Sequence, residues 1–313
     1  MSDHIAKVVV VGALHHDILV RAERQPLMGE TLMGSAWSPK FGGKGGNQAV
    51  AAKMAGAEVS MIGAVGNDDF GSTLLAGLES ADIDTGEIAR LNDVGSGMSV
   101  AILDAQGDYA AVVVSGANRS IKPETVAASA LWRDASAVIL QNEIPEVINQ
   151  AAIKAARANG ATVIWNAAPA RTDTLGLMAV TDVLIVNAIE AGQMIGPSND
   201  GKPVTSLAEA ADVARALKTD GVAAAIVTMG AAGVAAIGPD SEVLQIAGEP
   251  VEATSAHGAG DVFTGVFATA LVLGLPFADA IQAANHAAAA HVSGQAWDKV
   301  ASFRKSGIAH PSR

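Results

Sequence analysis

Short apolar stretches alternate with longer helical stretches over the second half of the chain. The apolar stretches have the length of buried strands and are rich in Val, Ile, Leu and Ala; they lie at residues 137–140, 162–165, 183–186 and 224–228. Helical patterns occupy residues 145–159 and 207–218 between them. Strands and helices that alternate at this spacing predict a mainly parallel sheet with right-handed crossover connections.

Polar residues follow each of these predicted strands. Asn166, Asn187 and Thr228 stand at three of the strand ends, and Glu143 comes three residues after the first strand. In open α/β sheets, ligands bind outside the carboxyl ends of the strands. Packing alone does not explain a row of polar residues there, so the sequence predicts a binding site along this edge of the sheet.

The first third of the chain contributes to the same sheet. KVVVVG at residues 7–12 is a continuous β-branched run, and residues 59–65 are again apolar, so both are predicted to be buried strands. Further helices are predicted at residues 48–57, 72–80, 261–273 and 276–291.

Two other segments predict a second, smaller sheet. Residues 18–40 have no helical period, and the alternating stretches at residues 98–103 and 110–114 flank a turn sequence typical of a β-hairpin. A small antiparallel sheet cannot bury both of its faces alone. We therefore expect it to cover something, as a lid or as a dimer contact.

Composition narrows the class of protein. The net charge of −12 argues against nucleic acid or an anionic membrane as a partner, and it requires a polyanion site to concentrate cations or to bind a metal. The absence of cysteine excludes disulfides and thiolate chemistry. The first residues do not resemble a signal peptide, and no unbroken apolar run reaches about 18 residues. A cytoplasmic protein of one domain, spanning residues 1–313, is expected.

The sequence Gly258-Ala259-Gly260-Asp261 stands at the start of a predicted helix. Glycines let backbone N–H groups approach a ligand closely, and a helix N-terminus carries partial positive charge, so this stretch suits an anion such as a phosphate. Asp261 is either an acid that stabilises the helix start or a base directed at the same anion. These four residues alone leave that choice open.

A second glycine-rich stretch, GGKGGN at residues 42–47, precedes the helix predicted at residues 48–57. Its glycines make an adaptable backbone with one cation, Lys44, inside it. A flexible linker is the weaker interpretation, because Lys44 and Asn47 interrupt the glycines and the helix begins at once. The P-loop motif, the Rossmann G-x-G-x-x-G after the first strand, the zinc motif H-E-x-x-H and the G-x-S-x-G elbow are all missing from the chain.

The glycine-rich stretch at residues 42–47, followed later in the chain by the one at residues 258–261, resembles the two signatures of the PfkB carbohydrate kinases, and within that family those of the ribokinases. The resemblance runs to about residue 291, and Phe263 and Gly265 extend the second signature. It implies a ribokinase-like three-layer α/β sandwich with a mainly parallel central sheet and a small antiparallel β lid. The implied lid segments are at about residues 15–40 and 97–118, and the implied assembly is a homodimer clasped through the lid strands.

The resemblance also implies a reaction, the transfer of the γ-phosphoryl group of ATP to a primary hydroxyl of a small sugar such as ribose. Asp261 would be the general base, and the amides of Gly258, Ala259 and Gly260 would form the anion hole. The implied sugar-binding residues are His15, Asp17, Gly42, Gly43, Lys44, Asn47 and Glu143. The implied ATP-binding residues are Asn187, Thr228, Gly230, Gly233, Gly260 and Asn285. Glu190, with Asn187 acting through water, would hold Mg²⁺.

The chain departs from the family pattern just before the second signature. The family usually has Asp-Thr where this chain has Ser255 and Ala256, and that acid helps to hold an activating K⁺. We therefore expect weak or no activation by K⁺. The same departure leaves open a regulator that binds sugar without catalysis, although an intact Asp261 argues against it.

A second departure concerns the acceptor. His15 stands where ribokinases usually carry asparagine beside the sugar, which opens the question of whether ribose is the acceptor. A nucleoside such as adenosine or cytidine is the alternative. Trp37, Phe41 and Tyr109 lie in or next to the lid segments, where they could stack on a base, although only 4% of the residues are aromatic.

Overall fold

Strand β1 (Lys7–Val11) lies inside the protein and is buried on both of its faces. Val8 and Val10 belong to one hydrophobic cluster, whereas Val9 and Val11 belong to another. A strand with two apolar faces needs helices on both sides of its sheet. The computed structural model, which describes residues 6–106, 109–195, 201–255, 257–297 and 300, has this arrangement.

Within the described residues, nine strands form the large sheet. From one edge to the other they are β13 (Val243–Ala247), β12 (Gly233–Ile237), β11 (Ala224–Thr228), β10 (Val183–Asn187), β9 (Thr162–Asn166), β8 (Ala137–Gln141), β1, β4 (Glu58–Gly66) and β5 (Asp84–Leu91). The strands from β11 to β5 pair in parallel, and β12 and β13 add an antiparallel edge. The predicted mainly parallel sheet is confirmed. β5, β12 and β13 were not predicted.

Helices cover both faces of this sheet, so the predicted three layers are confirmed. The helices that pack into the first cluster are α1 (Lys44–Ala55), α2 (Asp69–Ser80), α7 (Ala259–Val272) and α8 (Phe277–Val292). Those that pack into the second are α3 (Pro123–Ala128), α4 (Glu146–Ala158), α5 (Ala188–Met194) and α6 (Leu207–Thr219). Where the chain is described, no helix has both the length and the hydropathy needed to cross a membrane.

The small sheet extends from the carboxyl edge of the large one. Its strands, in spatial order, are β3 (Ala36–Gly42), β2 (His15–Arg21), β6 (Met98–Leu103) and β7 (Tyr109–Val114). The β2–β3 and β6–β7 pairs are antiparallel, and the two pairs join through a parallel β2–β6 contact. The predicted hairpin is confirmed, although residues 107 and 108 of its turn lie outside the described residues. β2 begins shortly after β1 ends and β3 leads into α1, so the small sheet lies next to the strand ends that carry polar residues.

Candidate active site

The glycine-rich stretch at residues 258–261 forms the start of α7. Gly258 precedes the helix with φ 81°, in the left-handed region that favours glycine, and the helix begins at Ala259. The first N–H groups of a helix have no partner within it. A Cβ atom added at Gly260 would meet no atom within 4 Å, so there is open space beside this backbone. We call Gly258, Ala259 and Gly260 the glycine turn.

The glycine turn and the strand ends face one cavity of about 290 Å³. Its lining residues are Lys44, Asn166, Ala168, Ile185, Asn187, Glu190, Thr228, His257, Gly258, Ala259, Gly260 and Asp261. The structure therefore brings together both glycine-rich stretches and three of the polar strand ends predicted from the sequence. We call this space the first cavity.

Two side chains of α1 hold the carboxylate of Asp261. Asn47 Nδ2 donates to Oδ2 of Asp261 at 2.9 Å, and Gln48 Nε2 donates to Oδ1 at 2.9 Å. The two helices approach closely because Gly265 on α7 has no side chain; a Cβ atom there would lie 2.6 Å from the Gln48 carbonyl oxygen. Asp261 is only 6% exposed, and because both of its carboxylate oxygens accept a hydrogen bond, its orientation is fixed.

Gln48 is a functional candidate that the sequence interpretation missed. Its side chain is fully buried, and its Nε2 also donates to Asn166 Oδ1 at 2.9 Å. Gln141 Nε2 in turn donates to Gln48 Oε1 at 2.8 Å. A chain of amides thus runs from the ends of β8 and β9 to Asp261. The sequence signal that could have identified Gln48 is a polar residue next to the small apolar residues of α1.

Four of the residues predicted to hold the sugar interact electrostatically, and we call them the charged cluster: His15, Asp17, Lys44 and Glu143. The backbone N–H of Lys44 donates to Glu143 Oε2 at 2.7 Å, and His15 Nδ1 lies 3.9 Å from the same oxygen. Asp17 accepts a hydrogen bond from Ser99 Oγ and packs against Gly42, where a Cβ atom would lie 1.9 Å from Asp17 Oδ2. Asn47, also predicted to contact sugar, donates to Asp261, and its sugar contact stays a prediction.

The turn at Gly43 explains how this cluster reaches the first cavity. Gly43 has φ 85°, and a Cβ atom there would lie 2.5 Å from the carbonyl oxygen of Ala13. Only glycine fits this position without strain. Helix α1 starts immediately afterwards at Lys44, four residues earlier than predicted, so Lys44 lies in its first turn. Residues 44–47, which precede the predicted helix, are therefore helical as well.

Burial acts on the pKa values of Glu143, Lys44 and His15. It raises the pKa of Glu143 to about 7, although Lys44 and the Lys44 backbone N–H act in the opposite direction. Burial acts to lower the pKa of Lys44, but the carboxylates of Asp261, Glu143 and Glu190 offset it and the net shift is upward. Burial lowers the pKa of His15. Lys44 is therefore a firmly charged cation among several acids, and the charge of Glu143 changes near neutral pH.

Asn187 and Glu190 form a capping box at the start of α5. Asn187 Oδ1 accepts from the N–H groups of Ile189 and Glu190, each at 2.9 Å, and Glu190 Oε2 accepts from the Asn187 N–H at 2.9 Å. Glu190 also lines the first cavity at 7% exposure, and burial raises its pKa. The motif thus has a local structural role, and the carboxylate of Glu190 still borders the cavity.

The residues predicted to bind ATP are only partly brought together. Thr228 lines the first cavity, and Gly230 is exposed with φ 56° just after the end of β11. Gly233 is buried at the start of β12, and its carbonyl oxygen accepts from the Met229 N–H at 2.7 Å. Asn285 is 9% exposed on α8 and donates to the Ala247 carbonyl oxygen at 3.1 Å. Neither Gly233 nor Asn285 lines the first cavity, so their nucleotide contacts stay predictions.

The aromatic residues considered for base stacking differ in their environments. Phe41 packs between α1 and α2, where its ring lies 2.7 Å from a Cβ atom added at Gly46 and 2.9 Å from one added at Gly77. Trp37 is 68% exposed on β3. The side chain of Tyr109 lies outside the described part of the structure, as does Ala256.

Comparison with known proteins agrees with this architecture. Residues 5–296 match the family described as pfkB family carbohydrate kinase. Ribokinases of Lactococcus lactis subsp. lactis and Bacillus subtilis are each 33% identical to this chain, over 294 and 287 residues. The first match covers 92% of this chain and 91% of the relative, and the second covers 91% and 92%.

A solved structure gives the same result for the fold. The Arabidopsis thaliana ribokinase complexed with ribose and ATP superposes with a TM-score of 0.83 at 27% identity, covering 96% of this chain and 98% of that one. The predicted ribokinase-like fold is thereby confirmed. With its family signatures facing one cavity, this chain belongs to the pfkB family of carbohydrate kinases, phosphotransferases that act on a sugar hydroxyl.

Proposed function

We propose that this protein is an ATP-dependent kinase that transfers the γ-phosphoryl group to a primary hydroxyl of a small sugar, with Asp261 as general base. The observation that carries the proposal is the position of Asp261. Its buried carboxylate lines the first cavity in the first turn of α7, directly after the glycine turn, and both of its oxygens are held by amides of α1.

In the proposed reaction, the sugar hydroxyl gives its proton to a carboxylate oxygen of Asp261. The hydroxyl oxygen forms a bond to the γ-phosphorus, and the bond from that phosphorus to the β–γ bridging oxygen breaks, so that ADP leaves with the electron pair. Each carboxylate oxygen has a second acceptor site besides the one used by Asn47 or Gln48, so these bonds leave room for the proton. Such a reaction depends mainly on positioning and electrostatics.

Charges around the first cavity suit a polyphosphate. The glycine turn offers backbone N–H groups at the positive end of α7, and the open space beside Gly260 gives a phosphoryl group access to them. Lys44 lines the same cavity and keeps its positive charge. We propose that these groups stabilise the charge that moves onto the transferred phosphoryl group and the leaving oxygen.

The donor set also fits Mg²⁺ bound together with a nucleotide. Within the described ranges, no group of three or more His, Asp or Glu side chains is placed to hold a metal. Mg²⁺ in phosphate-transferring sites usually keeps several waters and takes one or two carboxylates plus substrate phosphates. Glu190 supplies one carboxylate at the cavity, and Asn187 holds that carboxylate in place. When bound, the metal would neutralise phosphate charge.

A pentose is the acceptor that the observations favour. The two bacterial relatives described above are ribokinases, and the Arabidopsis protein is complexed with ribose. Asp17 and Glu143 can each accept from adjacent hydroxyls of a sugar. His15 adds a buried imidazole at the position where ribokinases usually carry asparagine. A nucleoside is the second candidate, because the exposed Trp37 on β3 offers an aromatic face. A non-catalytic regulator is the weaker candidate, since Asp261 is present and both of its carboxylate oxygens are held by side chains of α1.

We further propose that the chain is a single kinase domain, with the small sheet as a lid over the charged cluster and as the contact of a homodimer. β7 carries three consecutive exposed valines, Val112, Val113 and Val114, at 70%, 58% and 51% exposure. An exposed strand at the edge of a sheet is prone to pair with, or be covered by, another chain. Sedimentation velocity would test the dimer.

The decisive experiment measures ATP turnover against a panel of pentoses, hexoses and nucleosides, with Asp261→Asn alongside the wild type. Removing a positioned general base is expected to lower kcat by about 10²- to 10⁴-fold. Asp279→Asn is a matched control, because Asp279 stands in the first turn of the neighbouring helix α8. Wild-type turnover in the Asp261→Asn variant would refute the base assignment, and no turnover of the wild type with any acceptor would refute the kinase proposal.

A further inference from the structure

We propose that His291 is a positioning residue for the glycine turn, acting by holding the carbonyl group of His257. The proposal deepens the proposed function and rests on it, because the turn matters only if it receives a phosphoryl group. His291 lies in the last turn of α8, far from both family signatures in the chain. No part of the sequence interpretation assigned it a role.

The contact itself is direct. His291 Nε2 lies 3.0 Å from the carbonyl oxygen of His257. A carbonyl oxygen can only accept, so the hydrogen must be on Nε2, and the imidazole is the donor. Trp297 packs edge-on against the His291 ring, with the ring centroids 5.9 Å apart and an interplanar angle of 73°. The donor is therefore held in one orientation by an aromatic neighbour.

The direction of this bond determines where the neighbouring N–H group points. In a trans peptide, the carbonyl of one residue and the N–H of the next point in opposite directions. The His257 carbonyl and the Gly258 N–H belong to one peptide group. Fixing the carbonyl on His291 thus directs the Gly258 N–H away from His291.

Two cavities meet at this peptide. His257 and Gly258 line the first cavity together with Asp261 and Glu190. They also line a second cavity of about 450 Å³, whose other lining residues include His291 and Trp297 but neither Asp261 nor Glu190. Because His291 lies on the second-cavity side, we infer that the Gly258 N–H is directed to the first cavity, where the phosphoryl group would be.

The segment before the glycine turn is held by the same end of α8. The backbone N–H groups of Thr254 and Ser255 both donate to the Val292 carbonyl oxygen, at 2.7 and 3.2 Å. His291 Nε2 also lies 3.3 Å from a Cβ atom added at Gly258, so the imidazole packs directly beside the turn. Glycine has many accessible backbone conformations, and these contacts from outside restrict them. Among these contacts, His291 supplies a side-chain restraint on the carbonyl group that directly precedes the glycine turn.

The test compares two variants that separate the hydrogen bond from the ring packing. His291→Phe keeps an aromatic ring beside Trp297 and removes the donor. His291→Gln removes the ring and keeps an N–H donor of similar reach. Gln282→Leu, at an exposed position on the same helix, is the control for changes in α8 that do not reach the turn.

Steady-state kinetics should show weaker stabilisation of the transition state without weaker binding of ATP. In His291→Phe we expect kcat to fall on the order of 10- to 100-fold, since one preorganised donor is misdirected, while the KM for ATP changes little. Binding of ADP with aluminium fluoride, a mimic of the transferred phosphoryl group, should weaken in the same variant, whereas binding of ADP alone should not. His291→Gln should keep most of the wild-type kcat.

Three results would overturn the proposal. They are a wild-type kcat in His291→Phe, an equal loss in both variants, and a loss of ADP binding that parallels the loss of kcat. If His291→Phe does not fold, as judged from its thermal melting, His291→Gln still decides: a kcat near that of the control supports the role, and a tenfold loss refutes it. A wild-type protein without kinase activity would instead refute the proposed function, so the two failures are distinguishable.

Discussion

Replacing Glu143 by glutamine removes a buried carboxyl group whose charge changes near neutral pH. Burial raises the pKa of Glu143 to about 7, despite the opposing influence of Lys44. Glutamine has the same size and keeps an oxygen that can accept from the Lys44 N–H, as Glu143 Oε2 does at 2.7 Å. The variant therefore imitates the protonated glutamic acid at every pH.

The size and sign of the effect follow from linkage between protonation and folding. The folded protein holds the proton of Glu143 more tightly than the unfolded chain, where the pKa is near the ordinary 4.5. The stabilisation by this proton is complete below about pH 4.5 and is lost as the pH rises through about 7. At 1.36 kcal/mol per pKa unit, the difference between the two values corresponds to about 3 kcal/mol.

The assay is urea-induced unfolding, followed by tryptophan fluorescence at several values between pH 4.5 and 8.5. Trp165 is fully buried and reports on loss of the core. Near pH 4.5, Glu143→Gln and the wild type should have similar free energies of unfolding. Above pH 7.5 the variant should be the more stable by about 3 kcal/mol. Glu252→Gln changes an exposed glutamate and is the matched control.

A constant difference between the two proteins across this pH range would refute the reasoning. It would mean that the Glu143 carboxyl group titrates alike in the folded and unfolded chains, and hence that Lys44 compensates fully for burial. A variant that becomes relatively less stable as the pH rises would be a stronger contradiction. That sign requires a pKa lowered by folding.

Two further predictions concern the network around Asp261 and the segment before the glycine turn. Gln48→Leu removes one hydrogen-bond partner from each of Asp261, Asn166 and Gln141, so the free energy of unfolding should fall on the order of 3 kcal/mol in urea titrations, and kcat should fall as well. An unchanged kcat would show that Asn47 alone orients Asp261. Replacing a bulky organic cation by K⁺ should change turnover little, because Ser255 supplies no carboxylate for a monovalent cation. A large rate increase in coupled-enzyme assays would contradict this.

Some errors of the sequence interpretation have a tertiary cause. Helix α1 was predicted from residue 48, because glycine is a poor helix former, yet it begins at Lys44. Gly45 lies against the backbone of Gly12, and Gly46 against the ring of Phe41, at distances that leave no space for a side chain. Close packing thus overrides propensity at these two positions. β5 was missed because polar residues interrupt its apolar positions, as at an edge strand.

The spacing of Asn187 and Glu190 fits two roles, and the sequence interpretation considered only one of them. Asn187 followed three residues later by Glu190 has the spacing of a capping box, and the structure contains one. The resemblance assigned the same pair to magnesium. Both roles are compatible, because the capping bonds use Glu190 Oε2 and the side chain still lines the first cavity. Sequence spacing indicated the pair without distinguishing the roles.

The sequence by itself determined the layered fold and the family, and it predicted the binding edge. Apolar runs, helix starts and glycine signatures are local patterns, because residues that lie close together in the chain specify each of them. Only the tertiary structure decided what surrounds Asp261. Gln48 donates to it across 213 residues, and His291 reaches the carbonyl 34 residues away that precedes the glycine turn. Helix packing creates those contacts, and burial, which no local pattern measures, sets the pKa of Glu143.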